Sequence, residues 1–137
     1  MSFPLNLFVA GILSAIHLLL SYSLKFKRSY QNIFRMYSVL INVIFLVFLT
    51  VFSVFLATTA SNEGINLFLN GLSTFYFLLF LPLGILILVL FRKFIMTADI
   101  DPRALKYVLI IFAGIGLIGL LFIGYSIFIY TFYGFAP

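Results

Sequence analysis

Residues 5–24 read LNLFVAGILSAIHLLLSYSL, residues 25–36 KFKRSYQNIFRM, and residues 37–58 YSVLINVIFLVFLTVFSVFLAT. The two outer segments contain no Asp, Glu, Lys or Arg, whereas the segment between them holds Lys25, Lys27, Arg28 and Arg35. A helix rising ~1.5 Å per residue crosses a hydrocarbon core in ~20 residues, and both outer segments reach that length. Backbone amides find no water in lipid and must pair within their own segment, so each apolar run is expected to be a helix.

The pattern returns further on. Residues 67–91 and 107–133 are again free of charged side chains, and Arg92, Lys93, Arg103 and Lys106 lie between them. Across the chain 65% of residues are hydrophobic and 8% are charged, against about 25% charged in an ordinary soluble domain. A domain this small cannot bury so much apolar surface against itself. The expected fold is therefore an all-α integral membrane protein, with four transmembrane helices in an antiparallel bundle joined by short loops. It forms one domain over residues 1–137, with spans at about 5–24, 37–58, 67–91 and 107–133. Pro82 falls deep in the third span, where its missing amide and ring predict a kink. Asp101-Pro102 reads as an N-cap followed by proline at the first helical position.

Charge orients the chain. The eight Lys and Arg residues occupy two segments, and of the connection between the second and third spans only Glu63 is charged. Short basic loops stay in the cytoplasm, so both termini are expected on the non-cytoplasmic side. The same rule accounts for the net charge of +5 without nucleic acid as a partner. The basic loops, Lys25, Lys27, Arg28 and Arg35 with Arg92, Lys93, Arg103 and Lys106, could also meet anionic lipid or an acidic partner. Met1 to Leu7 lacks the basic start of a secretory signal, so the first span is expected to be retained. With no Trp in the chain, interfacial anchoring falls to tyrosines near span ends: Tyr22, Tyr37, Tyr107, Tyr130 and Tyr133.

Polar residues inside the spans mark the faces that turn away from lipid. Asn6, Ser14, His17 and Ser21 share a stripe with Ala10 on the first helix, and Asn42 and Ser53 fall on one side of the second. Lipid disfavours such stripes, so they are expected to face other helices or, in a channel, a pathway. On the fourth span Ala113, Gly116, Gly119 and Gly124 share a broad side and are expected to be helix-packing positions. Gly114, Gly116 and Gly119 also spell the dinucleotide fingerprint, but that motif needs a strand before it and a helix N-terminus at the phosphate. Within a continuous apolar run it reads as packing.

His17 is the one titratable side chain well inside a span. It can be a neutral imidazole hydrogen-bonded across the bundle, a proton relay, or a haem or quinone contact. A bis-histidine haem would require its second ligand from another chain, since His17 is the only histidine. No other cofactor is evident. Without cysteine there is no thiolate chemistry and no cysteine metal site. The carboxylates lie only in loops, so no catalytic Ser, His and Asp set forms in the membrane, and Asp99 and Asp101 read as solvated loop residues. The chain is not expected to be an enzyme by itself.

Three functions remain. The leading expectation is a small accessory or structural subunit of a larger membrane complex, of the electron-transfer or energy-converting kind. Its partners would be membrane lipids and other membrane subunits. The alternatives are a channel or small transporter built from identical copies, lined by the polar stripe, and a redox subunit acting through His17.

Overall fold

The computed structural model describes residues 3–58 and 62–133, with side chains described over 7–56, 58 and 62–132. It contains α1 (Phe3–Ser23), α2 (Arg28–Thr58), α3 (Asn62–Thr97) and α4 (Arg103–Tyr133), and no strand among the described residues. Three stretches, Arg28–Leu56, Asn62–Thr97 and Arg103–Phe132, are long and apolar enough to cross a membrane, and Leu7–Ser23 is a shorter apolar helix. The protein is an all-helical membrane bundle.

α1 packs on α2, α2 on α3, and α3 on α4. The direction of each neighbour follows from the pairs that meet. Ser21 bonds Ser38 while His17 bonds Asn42, so four residues down one helix are four residues up the other. On α3 and α4, Ser73 meets Tyr125, Tyr76 meets Leu121 and Gly84 faces Leu117, again with opposed numbering. The bundle is antiparallel between neighbours.

The helices outrun the hydropathy spans. α2 begins at Arg28 rather than near Tyr37, and α3 runs from Asn62 to Thr97 rather than from Leu67 to Phe91. At 36 residues α3 is about 54 Å long, well beyond a ~30 Å hydrocarbon core. Hydropathy reports only the part of a helix that lipid surrounds; a helix whose backbone is already paired can continue into water. One expectation is corrected in consequence. Of the basic residues assigned to loops, only Lys25 and Lys27 lie in one; Arg28 and Arg35 are on α2, Arg92 and Lys93 on α3, and Arg103 and Lys106 on α4. Likewise α4 starts at Arg103, one residue later than a cap at Asp101 requires. Pro102 closes the first turn through its carbonyl, which accepts from the Leu105 amide at 2.8 Å.

The core is a phenylalanine layer. Phe45 of α2 is fully buried and touches Phe75 of α3 and Phe128 and Phe132 of α4, with ring centroids 5.6, 5.8 and 5.7 Å away. Leu49, Leu72 and Leu79 close around it. Aromatic contacts of this kind supply packing attraction where the hydrophobic effect cannot, because lipid tails are as apolar as the side chains they would leave. The outer faces are covered by exposed Leu, Ile, Val and Phe along all four helices, the surface a bilayer solvates.

Candidate functional site

The third span reveals why polar groups gather where they do. Pro82 has no amide to offer the Leu78 carbonyl one turn earlier, and its ring crowds the turn. α3 nevertheless continues through Pro82. Two side chains from other helices supply donors at this turn: the Tyr37 hydroxyl of α2 donates to the Leu78 carbonyl at 2.6 Å, and His17 Nε2 of α1 donates to the Leu79 carbonyl at 2.8 Å. The Leu78 carbonyl, which has no amide from position 82, would carry a desolvation penalty without the Tyr37 hydroxyl, and the bonds from Tyr37 and His17 bring α1 and α2 to α3 at the level of this turn.

The hydrogen bonds define the state of His17, which is 1% exposed. Nε2 faces a carbonyl and must donate. Nδ1 lies 2.9 Å from Asn42 Nδ2, which can only donate, so Nδ1 accepts. The imidazole is thus the neutral tautomer with its proton on Nε2. Asn42 is held the right way round by its second bond, from Nδ2 to the Ser38 carbonyl at 2.6 Å; a flipped amide would set two oxygens against each other. Ser38 then donates to Ser21 at 3.0 Å. The chain Ser21, Ser38, Asn42, His17, Leu79 is continuous, and Phe80 meets the imidazole edge-on at a centroid distance of 6.1 Å. Two buried oxygens of this seam, Ser14 Oγ and Asn42 Oδ1, have no partner among the described residues.

Of the stripe expected from sequence, Ser14, His17, Ser21 and Asn42 are buried together at the α1–α2 seam. The side chain of Asn6 lies outside the described residues. Ser53 does not join: its hydroxyl donates at 2.6 Å to the Leu49 carbonyl of its own helix. Beyond Ser14 the seam meets the buried Phe45 and Leu49, so the polar chain ends at an apolar layer.

The glycine expectation needs correction. Gly124 does face another helix, since a Cβ there would stand 2.7 Å from the Tyr76 hydroxyl. Gly116 and Gly119 face open space, as does Gly114, and Ala113 is half-buried. Gly114, Gly116 and Gly119 thus make no close helix contact among the described residues. The close approaches lie at Gly71, across which the Phe48 ring lies, and at Gly124, where the missing side chain lets Tyr76 donate to the Leu121 carbonyl at 2.6 Å. Counting small residues on one face could not separate these cases, because α4 carries small residues on more than one side and only one of them meets α3.

Two of the basic residues, Arg35 and Lys106, bond carbonyls at helix ends. The Arg35 Nη2 donates to the Tyr22 carbonyl at 3.1 Å and Gln31 to the Leu24 carbonyl at 3.1 Å, at the C-terminal end of α1. Lys106 donates to the carbonyls of Met96 and Ala98, 3.2 and 2.7 Å away, at the end of α3. Terminal carbonyls lack intrahelical donors and carry the negative end of the helix dipole, so cations suit them. Sequence reasoning missed Tyr37 and Tyr76 as bonding groups. The signal was available for Tyr37: a proline in a span demands a donor for the carbonyl four residues before it. Compared with protein-family models, curated proteins and solved structures, this chain matches none.

Proposed function

We propose that this protein is a small accessory subunit of a larger membrane assembly, oriented with its basic helix ends in the cytoplasm and both termini on the opposite side. The observation that carries the reading is that the intramembrane polar groups serve the bundle. Both ring nitrogens of His17 are occupied by partners in the same chain, and the polar seam stops at the phenylalanine layer. A pore through one copy would need polar lining across that layer, and a haem iron would need a ring nitrogen that is now hydrogen-bonded. By contrast the outer faces carry large apolar side chains along their whole length, and α4 in particular turns Ile111, Ile115, Ile118 and Phe122 outward beside the open Gly116 and Gly119. Open glycines let a neighbouring helix approach closely.

The test is extraction from its native membrane in mild detergent followed by mass spectrometry of the intact particle. Co-migration with several different chains in fixed stoichiometry is expected. A ring of identical copies that conducts ions in liposomes would overturn the reading in favour of a channel. What supports the proposed orientation is the gathering of all eight basic residues at one end of the bundle.

A further inference from the structure

A groove of about 870 Å³ opens where α2 emerges beside the end of α1, lined by Tyr22 and by residues of α2 from Asn32 to Val43. Along α2 its lining changes in chemical order. Asn32 and Arg35 stand at the basic end, and Val39, Leu40 and Val43 continue the same helical face toward the middle of the bundle. From Asn32 to Val43 the face is about 16 Å long. The apolar part is open to its surroundings: Leu40 is 61% and Val43 53% exposed.

Arg35 is the centre of this groove. Its guanidinium lies over the Tyr22 ring, 4.8 Å from the centroid, and Nη2 donates to the Tyr22 carbonyl. Nε is buried, and among the described residues it has no partner and no carboxylate pairs with the group. The three acidic residues of the chain, Glu63, Asp99 and Asp101, lie on other elements, whereas Lys25, Lys27 and Arg28 crowd the same end. A half-buried cation held in a fixed direction by an aromatic ring and set beside an apolar trough is complementary to an anion joined to a hydrocarbon chain.

We propose that this groove is a binding site for an anionic glycerophospholipid, with the phosphate on Arg35 and an acyl chain along Val39, Leu40 and Val43. The site belongs to the isolated chain, independently of which assembly the protein joins. Arg35 acts here as a forked donor, whereas Lys27, which does not line the groove, contributes only to the surrounding field.

The experiment uses the full chain in neutral-detergent micelles with phosphatidylglycerol and phosphatidylcholine added at equal concentration, bound lipid being read by native mass spectrometry. The wild type is expected to retain phosphatidylglycerol selectively. Arg35→Gln is expected to weaken that retention about tenfold, as the loss of a charged hydrogen-bonding partner does. Leu40→Trp, which fills the trough and leaves the charge, is expected to weaken it as well, while Lys27→Gln changes it by less than about twofold. Circular dichroism identifies any variant that has lost its helices, and the remaining variant then carries the test. Equal retention of the two lipids, unchanged retention in Arg35→Gln and Leu40→Trp, or displacement of the lipid by glycerol phosphate alone would each overturn the proposal. Because no partner chain enters the experiment, its failure leaves the accessory-subunit reading standing, and success does not establish that reading.

Discussion

Pro82 removes one donor from α3, and the Tyr37 hydroxyl takes its place at the Leu78 carbonyl, 2.6 Å away. The two residues are therefore coupled through one oxygen atom. Tyr37→Phe is expected to destabilise the bundle by about 1 kcal/mol, the scale of a single hydrogen bond between membrane helices. In a Pro82→Ala background the residue at position 82 regains an amide that reaches the same carbonyl, so Tyr37→Phe there should cost less than about half as much. Unfolding of the detergent-refolded protein by sodium dodecyl sulfate measures both, and equal costs in the two backgrounds would show that the hydroxyl does not substitute for the missing amide. His17 bonds the next carbonyl, Leu79, which keeps its own amide donor at Leu83, and the residue-level logic was partly open to sequence: a histidine amid serines in a span calls for partners, but which nitrogen binds what depends on Asn42 lying opposite.

At the scale of elements, α3 and α4 join through a glycine that sequence periodicity could not single out. The Tyr76 hydroxyl fits against Gly124, and a Cβ at that position would meet it at 2.7 Å, too near for ordinary contact. Gly124→Leu is expected to separate the two helices locally and lower stability by about 1–3 kcal/mol through overpacking. Gly116→Leu is expected to leave the stability of the isolated chain within about 0.5 kcal/mol, as an apolar side chain added to a lipid-facing surface does. Yet in the native assembly the same Gly116→Leu should reduce co-purification of partner chains if a neighbouring helix approaches there. Thermal unfolding of the two variants in detergent, compared with their recovery in the assembled particle, separates packing within the chain from packing between chains; equal stability losses for both would refute the assignment of faces.

For the whole molecule, the two ends differ in charge and the middle is closed by aromatic rings. The chain contains no cysteine, so single cysteines report cleanly on sidedness. In sealed, right-side-out vesicles a membrane-impermeant maleimide is expected to label Glu63→Cys and to spare Lys27→Cys until detergent is added. The reverse pattern would invert the proposed orientation. The same geometry explains why the basic residues are not simple loop charges. Arg35 and Lys106 bond terminal carbonyls of α1 and α3, so residues on which the proposed orientation rests also finish helices.

What the amino-acid order determined by itself is whatever adds up along the chain: apolar runs long enough to span lipid, helices as their necessary form, basic residues gathered at one end, and a histidine turned toward protein. Tertiary structure decided which faces meet. It paired Tyr37 with the carbonyl that Pro82 frees, returned Ser53 to its own helix, closed Gly124 against Tyr76 and left Gly116 and Gly119 open. The reason is physical. Between water and lipid the difference in solvation is large and local, so it can be read residue by residue; between lipid and a neighbouring helix it is small, and only the shapes and donors of two particular surfaces choose the rotation of each helix.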